Sequence, residues 1–171
     1  MTACLVLMRH GKSDWETGAK SDFDRPLAPR GERDTPRIAR WLHSRLKGPF
    51  HIVSSPALRA RQTAGLVARE LGLDADEIEW QPGVYDATLQ ALLSTLASAV
   101  SAEDTTVLIG HNPGMEELVT YLADPNGLPD EPKLLPTSGV ICLELPGEAA
   151  GLQRGRCKVI AHMRPRWLKD D

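Results

Sequence analysis

Cysteine is scarce. The chain of 171 residues holds three, Cys4, Cys142 and Cys157. They are odd in number, sit among apolar residues, and show no C-x-x-C or Cys/His ligand spacing. That excludes a disulfide framework and a structural zinc site from the expectation, which is free, buried thiols. Long apolar runs are missing too. Residues 3–8 form a stretch far too short to cross a bilayer, and no cleavage site follows it, so neither a membrane anchor nor an exported protein is expected and the compartment is read as cytoplasmic. Charge of one sign is also missing: 20 basic residues stand against 23 acidic ones, for a net charge of −3. No basic stripe interleaved with aromatics exists, which argues against a nucleic-acid partner and leaves any positive field local. Nor is there a repeat, a linker or a low-complexity segment. With 42% apolar and 25% charged residues, the whole chain, residues 1–171, is expected to form one domain around one core.

Apolar segments then alternate in character. Residues 3–8 (Ala-Cys-Leu-Val-Leu-Met) are continuously apolar, as in a strand buried on both faces. Residues 11–29 carry glycine, serine, aspartate and two prolines and read as a long loop, of a length that is usually functional. From Gly31 to Leu46 the spacing of Ile38, Trp41, Leu42 and Leu46 predicts a helix, with Pro36 placed in its first turn and Gly48-Pro49 as its stop. A strand at 50–54, a helix at 58–71 ended by Gly72, a short strand near Ile78-Glu79-Trp80, and a helix from Leu89 to Val100 capped by Thr88 follow. Thr105 to Ile109 is a further strand, and Pro113 to Leu122 a further helix. Residues 124–137 hold four prolines and read as a loop. Strands at 140–145 and 157–162 close the chain around a glycine-rich turn. Strands alternating with helices imply an α/β three-layer sandwich, mostly parallel in its sheet, with the last two strands as an antiparallel edge. Ligands of such sheets sit beyond the C-terminal strand ends.

Three of those ends carry unusual chemistry: Arg9-His10-Gly11, Ser54-Ser55, and Gly110-His111. Arg9-His10-Gly11 with Ser55-Pro56-Ala57-Leu58-Arg59-Ala60-Arg61-Gln62-Thr63 and the late Gly110-His111 resembles the histidine phosphatase superfamily, whose fold is phosphoglycerate-mutase-like. The runs Arg9-His10-Gly11-Lys12-Ser13-Asp14-Trp15 and Asp24-Arg25-Pro26-Leu27, with the short chain, resemble its SixA-type phosphohistidine phosphatase branch. The resemblance implies that His10 is the nucleophile and that Arg9, Arg59 and His111 bind the phosphoryl oxygens. Physical chemistry agrees, because a phosphate dianion needs several cationic donors and arginine offers a planar fork. The nearby arginines should lower the pKa of His10 and keep it neutral, with an acceptor on its other ring nitrogen to fix the tautomer. Ser13, Gly11 and Ser55 are expected to contact substrate as well, Ser13 and Ser55 equally fitting turn or capping roles. Lys12 and Arg61 add charge nearby, while Asn112 and Pro113 are expected to shape a helix start. Trp15 either lines the entrance or anchors the loop. Trp41, His43, His51 and His162 are read as structural.

The charge is supplied by arginines, and no carboxylate cluster with metal-ligand spacing stands near either histidine, so neither a metal nor another cofactor is expected. Larger relatives in the resembled family place a glutamate general acid beside the site. Here Asp22, Asp24, Asp86 and Glu116 are the available carboxylates, each fitting a loop, cap or surface role. An alkoxide leaving group needs a proton, whereas imidazole leaving from a protonated phosphohistidine departs neutral. That favours a phosphoramidate, and the SixA-type resemblance implies that the partner is a phosphorylated protein carrying phosphohistidine. The alternatives are a small phosphorylated metabolite such as a sugar phosphate or nucleotide, or a phosphate-binding module without turnover. No oligomeric state is specified by the sequence.

Overall fold

The four apolar residues Leu5, Val6, Leu7 and Met8 need two hydrophobic faces, and strand β1 (Cys4–Arg9) gives them both. Side chains alternate across a strand. Accordingly Leu5 and Leu7 join one core cluster and Val6 and Met8 the other. This computed structural model describes residues 3–101, 104–147 and 152–170. Its further strands are β2 (Phe50–Ser54), β3 (Glu79–Trp80), β4 (Thr105–Gly110), β5 (Val140–Glu144) and β6 (Lys158–Met163). The helices are α1 (Pro29–Arg45), α2 (Leu58–Glu70), α3 (Leu89–Ala99) and α4 (Gly114–Leu122). The sheet runs β3-β2-β4-β1-β5-β6. The first four strands of that order are mutually parallel, and β5 and β6 are antiparallel additions.

Helix faces close the two sides. Leu92 and Leu96 of α3 and Met115, Leu118 and Leu122 of α4 bury against one face of the sheet. Ile38 and Leu42 of α1 and Ala60, Ala64 and Val67 of α2 bury against the other. Half-buried Trp41 packs on this second core. The layers and the antiparallel edge are those expected, and Thr88 does cap α3, accepting the Ala91 N–H at 3.1 Å. His43 is exposed beside Phe50, His51 lies 3.5 Å from Glu79, and His162 meets the Leu134 carbonyl at 3.0 Å. Cys142 is a buried free thiol and Cys157 is buried, while Cys4 is half-buried. No helix among the described residues is long and apolar enough to cross a membrane.

Two local expectations need correction, and a third is sharpened. Helix α1 starts at Pro29, so Pro36 lies inside the helix and withdraws one N–H from its ladder. The start is set by tertiary contact. Ala28 donates its N–H to the Lys12 carbonyl at 2.8 Å, and a Cβ at Gly31 would come within 2.4 Å of that same oxygen. Only glycine lets the helix press so closely on the end of β1. Secondly, β6 begins one residue late. Cys157 instead bridges Ala123, accepting the Asp124 N–H at 2.7 Å. The expected turn between β5 and β6 lies partly at residues 148–151, outside the described residues. Thirdly, the long loop is not open at its base. Ser13 and Leu27 form an antiparallel bridge, and Asp14 donates to the Pro26 carbonyl at 2.9 Å. The Leu27 N–H is held by Gln62 Oε1 at 2.7 Å. Between these ends the chain makes one 3-10 turn, Asp22–Asp24. The result is a compact excursion with adjacent ends, carried over the C-terminal edge of the sheet.

Candidate active site

Parallel pairing brings the strand ends together. Arg9 is level with Gly110, and Ser54 with Ile109. The next residue of each strand is tied across: His10 donates its N–H to Gly110 at 3.1 Å, and Ser55 to Ile109 at 3.1 Å. His10, Ser55 and His111 thus meet at one sheet edge, where the first turn of α2 adds Arg59. His10, Arg59 and His111 border a cavity of about 700 Å³.

The imidazole of His10 is buried, with Nδ1 2.7 Å from the Gly11 carbonyl oxygen. A carbonyl only accepts, so Nδ1 carries the hydrogen and Nε2 keeps its lone pair. Arg59 Nε–H points at that lone pair from 3.4 Å. Burial is the main force that depresses the His10 pKa, from 6.5 to about 3. The Gly11 bond opposes it, and repulsion from His111, Arg59 and Arg9 adds to it. The expected direction holds, but desolvation leads and the arginines come after.

His111 is organised from behind. Its Nε2 lies 2.7 Å from Ser55 Oγ, and that oxygen already accepts the Ala57 N–H at 3.2 Å. The Ser55 hydroxyl keeps its own hydrogen to donate to Nε2, and a neutral ring bonded in that way carries its hydrogen on Nδ1. Nδ1 is buried without a partner, as is Arg9 Nε. Leaving such donors unmet costs roughly 1–3 kcal/mol each, and both residues line the cavity. Burial, then the charge of Arg59, lowers the His111 pKa to about 4, with Asp22 acting against and Arg9 and Arg25 adding to the shift. The two histidine rings are 5.0 Å apart.

Asp22 is the carboxylate that reaches this cluster. Its Oδ2 accepts from Arg59 Nη2 at 2.9 Å and from the Tyr85 hydroxyl at 2.8 Å. Its Oδ1 accepts from Arg25 Nε at 3.1 Å and Nη2 at 3.0 Å, and its backbone carbonyl from Arg59 Nη1 at 2.6 Å. Partial burial works against ionisation, but the bonds from Tyr85, Arg59 and Arg25 together outweigh it and lower the Asp22 pKa to about 2. Of the other carboxylates considered, Asp86 also lines the cavity. Asp24 instead accepts from Ser21, and Glu116 from Asn112.

Ser13 lines the cavity with its Oγ accepting from Arg25 Nη1 at 2.7 Å. Trp15 serves both readings, lining the cavity while Arg25 stacks 3.4 Å above its ring. Ser55 and Gly11 do not line it. Ser55 is spent on His111 and Ala57, and the Gly11 N–H on Thr63 Oγ1 at 3.0 Å. A Cβ at Gly11 would stand 2.8 Å from Thr35 Oγ1, so glycine is needed there for space. Lys12 and Asn112 border the cavity, but Arg61 points away, exposed. Asn112 donates to the Leu135 carbonyl and to Glu116, and so does more than shape a helix. Arg25 and Tyr85 are cavity residues that sequence reasoning missed. Arg25 was visible in the Asp24-Arg25-Pro26-Leu27 run; Tyr85 carried no signal. Among the described residues, no three His, Cys, Asp or Glu side chains are grouped to hold a metal ion.

The sequence matches the model of the histidine phosphatase superfamily (branch 1) over residues 5–118. The chain belongs to this superfamily. An uncharacterised protein of Mycobacterium tuberculosis, Rv1276c, is 30% identical over 164 residues, covering 93% of this chain and 100% of that one. A solved structure of the protein histidine phosphatase SixA complexed with tungstate is 26% identical, with a TM-score of 0.75, and covers 99% of this chain and 100% of its own. A sedoheptulose 1,7-bisphosphatase of Saccharomyces cerevisiae is 30% identical over 106 residues, 52% of this chain and 39% of the yeast protein. The superfamily match spans β1 through most of α4, which includes every strand end at the cavity.

The buried histidines make fold stability pH-dependent. Their folded pKa values, about 3 and about 4, lie below the unfolded value near 6.5. Below that value the unfolded chain takes up protons that the folded one refuses. The stability present at neutral pH is therefore lost progressively as pH falls toward the folded pKa values. The denaturant midpoint is expected to drop between about pH 7.5 and pH 5 and to drop less in His10→Asn. A midpoint in the parent protein that is flat over that range contradicts a buried neutral pair.

Proposed function

We propose that this protein is a metal-independent phosphatase that acts on phosphohistidine in proteins through a covalent phosphohistidine on His10. One observation carries the reading: the His10 tautomer is pinned by the Gly11 carbonyl, leaving Nε2 as a neutral lone pair beside Arg59. In the first step Nε2 bonds to phosphorus while the bond from phosphorus to the substrate nitrogen breaks. The substrate ring, protonated on its other nitrogen, keeps the electron pair and departs as neutral imidazole. Arg9, Arg59 and His111 Nδ1–H receive the equatorial oxygens, where charge concentrates in transfer. Phosphorylated His10 is cationic, and the Gly11 carbonyl accepts from its Nδ1–H. Water then attacks phosphorus, the N–P bond returns its electrons to Nε2, and the product leaves as dihydrogen phosphate carrying both protons of the water. The likeness to the SixA structure supports the substrate. So does the state of Asp22, which is ionised and fully engaged and has no proton to give an alkoxide.

A small phosphoester is the second reading. It is favoured by Asp86 on the cavity wall and by the partial match to the yeast bisphosphatase. A panel of phosphohistidine proteins and phosphoesters separates the two. Missing general-acid help costs about 10²–10⁴-fold, so kcat/KM is expected to favour phosphohistidine by at least about 10²-fold, unchanged after chelation. Equal or better turnover of esters replaces the first reading by the second. Phosphate binding without any turnover makes the protein a binding module.

A further inference from the structure

We propose that a basic groove beside the catalytic cavity docks an acidic segment of the phosphorylated protein substrate, an inference that rests on the protein-substrate reading above. The groove has a volume of about 700 Å³ and lies between the N-terminal half of α1, residues 131–137 and residues 164–170. Thr137 lines both this groove and the catalytic cavity, so a chain lying in one continues into the other. The charge is opposite to that of the molecule. The chain carries −3 overall, yet the groove gathers Arg30, Arg33, Arg37, Lys133, Arg164 and Arg166 against three carboxylates.

Those carboxylates do not neutralise it: six cations face three of them, and Asp170 pairs at 3.6 Å with Arg37, which Asp34 also holds. Buried Asp34 is shared by three arginines, Arg30 at 3.9 Å, Arg33 at 3.2 Å and Arg37 at 3.3 Å. The Arg30 and Arg33 side chains stay 58% and 69% exposed, which leaves most of each fork open to a ligand. Arg164 forms part of the opposite wall. It is buried, donates to the Lys133 carbonyl at 2.8 Å, stacks 4.6 Å above Trp167, and has a buried Nε without a partner. Its carboxylate neighbour, Glu131, is 3.9 Å away. These contacts fix the guanidinium in the wall of the groove. Arginine forks match carboxylates two oxygens at a time. Charges spread over three chain segments suit several carboxylates in a row better than one small anion, and fields of this kind set partner choice and capture rate.

The test uses two phosphohistidine peptides of equal length, one flanked by glutamates and one by glutamines. At low salt the acidic peptide is expected to show a KM about tenfold lower at equal kcat, as a few exposed ion pairs supply. High salt should erase the difference. The Arg33→Glu/Arg166→Glu variant should lose it too, with turnover of the phosphoramidate ion unchanged. Arg33→Gln/Arg166→Gln serves if the reversed pair fails to fold. Equal KM values for the two peptides overturn the groove, as does a variant that loses peptide and phosphoramidate turnover together. If only phosphoesters are turned over, the phosphohistidine reading fails. The groove is then judged by binding of the unphosphorylated peptides to His10→Ala protein. Preference for glutamate there supports it, and no preference overturns it.

Discussion

His10→Ala is expected to abolish turnover, lowering kcat by at least about 10⁴-fold, because no other group near phosphorus offers an equivalent lone pair. His111 does not substitute. Its Nε2 is occupied by Ser55, and in the tautomer where Ser55 donates to Nε2 the Nδ1 carries hydrogen rather than a lone pair. Phosphate should still compete for the site, since Arg9, Arg59 and His111 remain. The variant leaves the Gly11 carbonyl without its donor, a cost of about 1–3 kcal/mol, so circular dichroism must show a folded protein before the rate is read. In the parent enzyme, an alkaline denaturing quench during turnover should trap phosphate that is kept in base and lost in acid, and should map it to His10. Full activity in the variant, or an acid-stable adduct on another residue, removes the covalent mechanism.

Much of this arrangement is legible in the sequence, for a physical reason. Apolar runs ending in Arg9-His10 and Gly110-His111 suit inner strands buried on both faces, and the parallel pair β1 and β4 delivers both ends to one edge. What fails to show are roles that depend on backbone atoms or on tertiary contact. The acceptor that fixes the His10 tautomer is the carbonyl of the very next residue, Gly11, which no side-chain pattern encodes. Ser55 was expected at the substrate because it ends a strand at the site. Its hydroxyl in fact turns to His111, and strand order alone cannot say which way it faces. Among Asp22, Asp24, Asp86 and Glu116, the sequence offers no ranking. Asp22 is placed by a loop whose base is closed by the Ser13–Leu27 bridge and by Gln62, residues far apart in the chain. Pro36 misled for a related reason. A proline looks like a helix start, but Gly31 against Lys12 moves the start of α1 upstream and leaves the proline inside.

The closed loop also couples Asp22 to Arg59, and this sets the second large effect. Arg59→Met is expected to lower kcat/KM by about 10³-fold or more, the loss typical of a transition-state cation in phosphoryl transfer. Part of that loss has a separate origin. In the parent protein Arg59 spans His10 Nε2 and Asp22, so the carboxylate is neutralised where a phosphoryl group must enter. Methionine removes the cation and leaves Asp22 facing the incoming dianion with only Arg25 and Tyr85 as partners. Like charges repel, and in a partly buried site that repulsion is poorly screened. Adding Asp22→Asn to Arg59→Met should therefore recover about tenfold of the lost kcat/KM. Asp22→Asn alone, with Arg59 released from its anchor, should lower activity rather than raise it. The four proteins form a double-mutant cycle with a coupling energy on the order of 1–2 kcal/mol. A double variant as slow as Arg59→Met, or slower, shows that Asp22 does not oppose phosphate entry and that Arg59 acts on the phosphoryl oxygens alone.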